Sequence, residues 1–272
     1  MIKIITDSTC DLSIEEMKQE QVEVVPLTVH FGEEQYRDKL DITNEEFYEK
    51  LKVSQVLPTT SLVSPEEFFN VFMKFPEDDL VVILISTKLS GTCQSAYIAK
   101  EMTKRENIYI VDSLNASVAL GLLVKQAIEL RPKMKSAKEL YLALEESKKK
   151  IVIFAAVDTL EYLVKGGRLG RAAGTIGKVL NIKLLLTLVD GKLEVVAKHR
   201  GMQRALKDMV ERYNENCSLD LKSMIMYAHT GAQQRAENLR NVIGKAGDIY
   251  CIGSVVGAHS GLGCIAVAYS KR

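Results

Sequence analysis

Two signals alternate along the first half of this chain and limit what it can fold into: short β-branched runs, apolar at nearly every position, and segments that open with helix caps. The runs are Ile2 to Thr6, Val22 to Val25, Leu80 to Ser86, Ile108 to Val111 and Ile151 to Val157. Strands apolar on both sides need cover on both sides, which a parallel sheet flanked by helices supplies. Four S/T-x-x-E matches mark helix starts: Ser13 with Glu16, Thr43 with Glu46, Ser64 with Glu67 and Ser136 with Glu139. In each, the hydroxyl accepts from a helix-terminal N–H while the glutamate reaches back to the cap. Pro65 reinforces the third, because a first helical turn tolerates proline. The first half therefore reads as a doubly wound, mainly parallel α/β lobe.

The second half follows another pattern. Leu184 to Val189, then Asp190-Gly191, then Lys192 to Lys198 predicts an antiparallel hairpin, since Asp-Gly suits a type I′ turn. Helices are expected at about Met202 to Asn214 and Gln233 to Lys245, and strands at Leu221 to Ala228, Ile249 to Val256 and Cys264 to Ala268. These predict a C-terminal α+β lobe with antiparallel strands. The expected division is 1–157 and 158–272, and 272 residues suffice for two lobes sharing a cleft.

A formal net charge of +1 removes the usual electrostatic case for nucleic acid, which needs a concentrated basic face. The start turns polar too early for a signal peptide, and the longest apolar runs, such as Leu80 to Ile85, fall far short of a bilayer span. Five scattered cysteines without CxxC or metal-ligand spacing read as reduced thiols of a cytoplasmic protein.

In an open α/β sheet, ligands gather outside the carboxyl ends of the strands. Three polar clusters sit at such places: Thr6-Asp7-Ser8-Thr9, Pro58-Thr59-Thr60-Ser61 and Ser86-Thr87-Lys88-Leu89-Ser90-Gly91-Thr92. Ser90 falls where the chain enters a helix, and Gly91 lets backbone N–H groups approach a ligand, a setting that favours an anion. From local sequence alone such a serine is most often a plain N-cap, while Thr60 and Ser61 can simply close a turn and Asp7 bond neighbouring backbone. Gly166-Gly167-Arg168-Leu169-Gly170-Arg171 matches no dinucleotide fingerprint, and its arginines suit either an anion or a solvated turn. Gly177-Lys178 lacks the earlier glycine and later hydroxyl of a P-loop. His259, among Gly257, Gly261 and Gly263, is expected on a turn between two strands, open to a ligand. His30, His199 and His229 have no such setting. No His-Glu-x-x-His, nucleophile elbow or Cys/His pair is present, so donors for an anion stand without a catalytic set.

The chain resembles the DegV family from end to end, as a single unit over about residues 2–270. The resemblance rests on Thr6-Asp7-Ser8, Pro58-Thr59-Thr60-Ser61 with Ser64, and Leu89-Ser90-Gly91-Thr92 followed by Gln94-Ser95-Ala96. It continues through Leu160-Glu161-Tyr162-Leu163 with Gly166-Gly167-Arg168, Asp190-Gly191 with Arg200, and Gly257 to Gly263 around His259. It implies a two-lobed fold shared with dihydroxyacetone kinase and the mannose phosphotransferase subunit. It also implies a non-enzymatic carrier without a metal or cofactor, which holds a long-chain fatty acid between its lobes and presents the carboxylate to a separate fatty acid kinase. Carried over residue by residue, Thr60 and Ser90 are the main carboxylate contacts. Ser61, Gly91, Thr92, Arg200 and His259 support the head group, and Arg168 and Arg171 dock the kinase. Contact with a membrane is expected to be transient. A tail of about C14 to C18, such as palmitate, offers about 0.8 kcal/mol per methylene buried. The alternative that the shared fold brings is a phosphotransfer enzyme or phosphocarrier using His259. Two departures stand out: Leu184 replaces the proline often found after the strand lysine, and Leu262 interrupts a common Gly-Pro-Gly.

Overall fold

The computed structural model describes residues 1–169, 182–217 and 223–271. The chain begins with β1 (Ile2–Asp7), α1 (Ile14–Gln19) and β2 (Glu23–Val25). A small excursion follows, made of β3 (Thr28–Phe31), β4 (Glu34–Arg37), α2 (Asn44–Val53) and β5 (Thr59–Ser61). Then come α3 (Pro65–Met73), β6 (Asp79–Leu84), α4 (Thr92–Thr103), β7 (Ile108–Asp112), α5 (Ser117–Leu130) and α6 (Ala137–Ser147). Strands β2-β1-β6-β7 form a parallel sheet, and β4-β3-β5 a small antiparallel one. All four hydroxyls cap as expected, but only two of the four glutamates reach back to the cap residue. Thr43 and Ser64 form complete reciprocal capping boxes. Ser13 and Ser136 accept from Glu16 and Glu139 N–H, while the Glu139 side chain bonds the N–H of Lys135.

The remaining elements are β8 (Ile151–Val157), α7 (Glu161–Lys165), β9 (Ile182–Val189), β10 (Lys192–Arg200), α8 (Met202–Asn216), β11 (Ile225–His229), α9 (Gln233–Ile243), β12 (Asp248–Cys251), α10 (Ser254–Ser260) and β13 (Ile265–Ser270). Six strands form one sheet in the order β10-β9-β8-β13-β11-β12, antiparallel except for β11 with β12. Asp190 (φ +47°) and Gly191 (φ +78°) turn the β9–β10 hairpin in the left-handed region that a type I′ turn requires. Leu184, at the usual proline position, is fully buried in β9 opposite Val157, so the strand keeps an N–H donor and a core side chain there.

Two sequence expectations need correction. Ile151 to Val157 is apolar like the parallel strands, yet β8 pairs antiparallel with β9 and β13. The change of sheet falls before it, and a division after 157 leaves this strand in the wrong lobe. The second concerns Ile249 to Val256. The strand ends at Cys251 and α10 begins at Ser254, so His259 lies on a helix and not on a turn between strands. Local sequence supplies no cap for α10, but distant carboxylates do. Asp11 accepts the Gly253 N–H (2.8 Å), and Asp38 accepts both the N–H (3.1 Å) and the hydroxyl (2.7 Å) of Ser254. Of the strand expected from Leu221, residues 221 and 222 lie outside the described residues, as does Gly177-Lys178.

Between the two large sheets lies α5, which lacks a side-chain cap and is apolar almost all round. Val118, Leu120, Leu122 and Leu123 are fully buried, and the helix touches β1 and β6 on one side and β8, β11 and β13 on the other. Its Gly121 admits the 3-10 turn at Ser8–Cys10, since a Cβ there would lie 2.4 Å from the Cys10 carbonyl oxygen. We predict that Gly121→Ala lowers the unfolding free energy by about 1–3 kcal/mol, as overpacking does. Urea denaturation checks this, and an unchanged midpoint contradicts the close approach.

Candidate functional site

The six-stranded sheet uses its two faces differently. Phe154, Ala156, Leu185 and Val267 pack with Ala205 and Met209 of α8 and Leu239 of α9. The alternate residues, among them Ile153, Val157, Leu186 and Ala266, face inward toward α5. On that inner face, beyond the carboxyl ends of the parallel strands, a cavity of about 400 Å³ opens. Its wall is apolar: Ile153, Ala155, Val157, Leu186 and Leu193 from the sheet, with Ile85 and Ala116 opposite. This volume is within the usual range for small-molecule sites.

One end of the cavity is polar and leads to solvent. Thr60, Ser61, Ser90, Gly91, Arg168 and His259 all line it, and Ser61, Gly91 and Arg168 are exposed. Thr60 is not a turn residue as its loop-like sequence suggests. It lies on β5, paired with Val29 of β3, and its Oγ1 is 2.9 Å from His259 Nε2. Ser90 ends a tight turn held by its own N–H to the Ser86 carbonyl (3.1 Å). Its Oγ lies 2.9 Å from Thr92 Oγ1 and accepts the Thr92 N–H (3.3 Å). The formal cap of α4 is Gly91, which makes no side-chain bond, so Ser90 acts as both capping group and cavity lining.

Other candidates fall elsewhere. Thr92 is buried and outside the lining, where it supports Ser90. Ser61 lines the rim but also bonds His30 Nε2 at 2.8 Å. Arg200 ends β10, exposed and not among the residues that line the cavity. Arg168, expected to dock a partner, is exposed and also lines the rim, where its Nε donates to the Leu89 carbonyl (3.3 Å). Arg171 lies outside the described residues. Asp7 is a structural group: it accepts from the N–H of Thr9 (2.9 Å) and of Ile85 (2.7 Å). The sequence missed the apolar wall, because strands apolar on both sides do not reveal which side borders a cavity. It also missed Ser117, Thr187 and Ser260, isolated hydroxyls within apolar segments.

Burial, reinforced by the nearby Arg168 cation, pushes His259 down to about 4. The imidazole is therefore neutral at physiological pH, with one N–H and one lone pair. Nδ1 is buried without a partner against Gly166, where a Cβ would come within 2.3 Å of it. An orphaned N–H is rarer in folded proteins than an under-used acceptor, so the proton belongs on Nε2, donating to Thr60 Oγ1. In that tautomer His259 does not take the Thr60 hydroxyl proton.

This arrangement is that of a two-lobed α/β protein with an apolar chamber and a polar, hydroxyl-lined rim. The sequence profile of the DegV family, described as an uncharacterised protein family, matches residues 1–272, and the chain belongs to that family. A DegV domain-containing protein of Clostridium acetobutylicum is 34% identical over 275 residues, covering 100% of this chain and 99% of the relative. Among solved structures, a DegV family protein of Thermus thermophilus, described by its fatty acid binding, superposes with a TM-score of 0.90 at 31% identity, over 99% of each chain. A stearic acid-binding protein of Eubacterium ventriosum superposes with a TM-score of 0.89 at 27% identity, over 100% of this chain and 98% of that one.

The depressed His259 has a testable consequence. Between its unfolded value of 6.5 and its folded value of about 4, the unfolded chain binds a proton that the folded site refuses. Its contribution to stability is full above about pH 6.5 and is lost as pH falls toward 4. The ring resonances of His259 are expected to titrate near pH 4 by NMR; a midpoint near 6.5 contradicts the buried, neutral assignment.

Proposed function

We propose that this chain is a cytoplasmic carrier of one long-chain fatty acid, which it presents by the carboxylate to a separate kinase without acting on the acid itself. The observation that carries the reading is that Thr60 and Ser90, 30 residues apart in the chain, line one chamber whose wall is mostly apolar. Each hydroxyl is held in place from within the protein, Thr60 by His259 and Ser90 by the N–H and hydroxyl of Thr92. Two hydroxyls on the lining, one of them bonded to a neutral imidazole, suit an anion that is held by hydrogen bonds.

The energetics divide the work. A tail of about fourteen methylenes offers on the order of 11 kcal/mol of gross burial. Each charge-assisted hydrogen bond adds about 1.5–3 kcal/mol net. The tail supplies affinity, and the hydroxyls fix its direction and keep the carboxylate from being buried unpaired, which would be costly. Arg168 at the rim adds a cation whose guanidinium stays near the head group, and the kinase would approach from this exposed side. That solved relatives are described as binding fatty acids, stearic acid in one, supports the same ligand class here. A phosphocarrier role for His259 suits the geometry less well, since Nε2 is engaged by Thr60 and Nδ1 is enclosed against Gly166.

Titration of delipidated protein with palmitate tests this. Ser90→Ala is expected to weaken binding roughly ten- to a hundredfold, the worth of one charged hydrogen bond. Ala155→Phe, which fills the chamber from its sheet wall, is expected to abolish binding of long acids while shorter ones are retained. Wild-type affinity in both variants would place the lipid elsewhere and reject the site.

A further inference from the structure

One serine outside the chamber lining is bonded to two of the structures that shape the chamber. Ser86 follows β6 and is fully buried. Each of its polar groups is engaged. Its N–H donates to the Asn115 carbonyl (2.9 Å), and its carbonyl accepts the N–H of Leu89 (3.0 Å) and of Ser90 (3.1 Å). Its Oγ accepts the Lys88 N–H (3.1 Å) and donates to the Gly191 carbonyl (2.8 Å). A carbonyl only accepts and an N–H only donates, so both roles of this hydroxyl are fixed.

These bonds join two walls. Those to Lys88, Leu89 and Ser90 build the turn that sets Ser90 on the lining. The bond to Gly191 reaches the tip of the β9–β10 hairpin, where Asp190 is exposed but Gly191 is buried, and a Cβ on Gly191 would overlap the Ser86 Oγ. Just behind the tip, Leu188 and Leu193 pair across the hairpin, and both line the chamber. β10 is the edge of its sheet and has β9 as its one neighbouring strand, so a bond at the tip braces a wall that lacks a second ladder.

We infer that Ser86 is a positioning residue for the ligand, a link that holds the Ser90 turn in register with the hairpin wall, so that head-group contact and tail wall meet the acid as one unit. The inference rests on the fatty-acid reading, with Ser90 as a carboxylate contact, and adds to it a coupling between two parts of the chamber. A contact group that is already in place binds better than one that must be ordered as the ligand arrives. A serine that only supports the fold acts on stability and leaves the affinity of the folded protein unchanged. A positioning serine acts through Ser90, and its removal costs little once the Ser90 hydroxyl is gone.

The test is a double-mutant cycle on delipidated full-length protein. Wild type, Ser86→Ala, Ser90→Ala and the double variant are titrated with palmitate by calorimetry, each well below its Tm. Ser86→Ala is expected to weaken binding roughly three- to tenfold, the worth of one neutral hydrogen bond. Added to Ser90→Ala, it is expected to cost under about twofold, no effect at the precision of such cycles. Gly191→Ala, which crowds the same hydroxyl from the hairpin side, is expected to repeat both results, and it carries the test if Ser86→Ala does not fold. A lowered Tm with unchanged palmitate affinity in Ser86→Ala overturns the inference and leaves the carrier reading in place. So does a loss of equal size with and without the Ser90 hydroxyl, which makes the two serines independent. Wild type that takes up no palmitate, or Ser90→Ala that binds it as wild type does, removes the site reading itself, and the inference with it.

Discussion

Two buried carboxylates hold the site together. Asp11 and Asp38 come from the N-terminal part of the chain, yet they bind the start of α10, more than two hundred residues later, through the Gly253 N–H and the N–H and hydroxyl of Ser254. A carboxylate removed from water is costly unless donors meet it, so these contacts fix α10 against the N-terminal lobe. Burial pushes Asp11 up to about 6, partly offset by the Lys39 cation nearby. Because that value lies above the ordinary carboxylate range, ionisation of Asp11 weighs against the folded state as pH rises through 6. The position of His259, and through it the orientation of the Thr60 hydroxyl, depends on this anchor. Tyr48 adds to it by donating to the Ile252 carbonyl (2.8 Å).

The six-stranded sheet supplies the other half of the design. One face is filled by α8 and α9 with aromatic and aliphatic side chains, including Tyr213, Tyr227 and Tyr269. The other is covered by α5 over only part of its area, and the uncovered part borders the chamber. The β9–β10 hairpin tip reaches the parallel sheet, where Ser86 Oγ donates to the Gly191 carbonyl (2.8 Å). Each lobe thus supplies what the other lacks: the C-terminal sheet gives an apolar wall, and the N-terminal loops give polar groups at the strand ends, where an α/β sheet places its ligand contacts.

Much of this could be read from the residues alone, and the failures have physical causes. The capping boxes at Thr43 and Ser64 and the Asp190-Gly191 turn are local interactions, so the sequence states them directly. Thr60, Ser90 and His259 stand out in the sequence through their setting and the family resemblance, and the structure brings all three to one cavity lining. Helix α10 was not legible, because its caps come from Asp11 and Asp38 and its valines read as strand. Strand β8 reads like a member of the parallel sheet because parallel and buried antiparallel strands carry the same apolar pattern. Arg200 illustrates the limit of a motif: its place in the chain matches the family, but it stands outside the chamber lining. No helix among the described residues is long and apolar enough to cross a membrane.

The central claim is that the chamber is an acyl-chain site, and the lipid that accompanies the protein tests it most directly. Freshly purified protein is denatured, extracted and analysed by mass spectrometry against a mock purification. The account predicts long-chain carboxylic acids at close to one per chain, lost in parallel from a variant whose chamber is filled at Ala155. Protein that carries no lipid and takes up none when offered, with its fold intact, would contradict it.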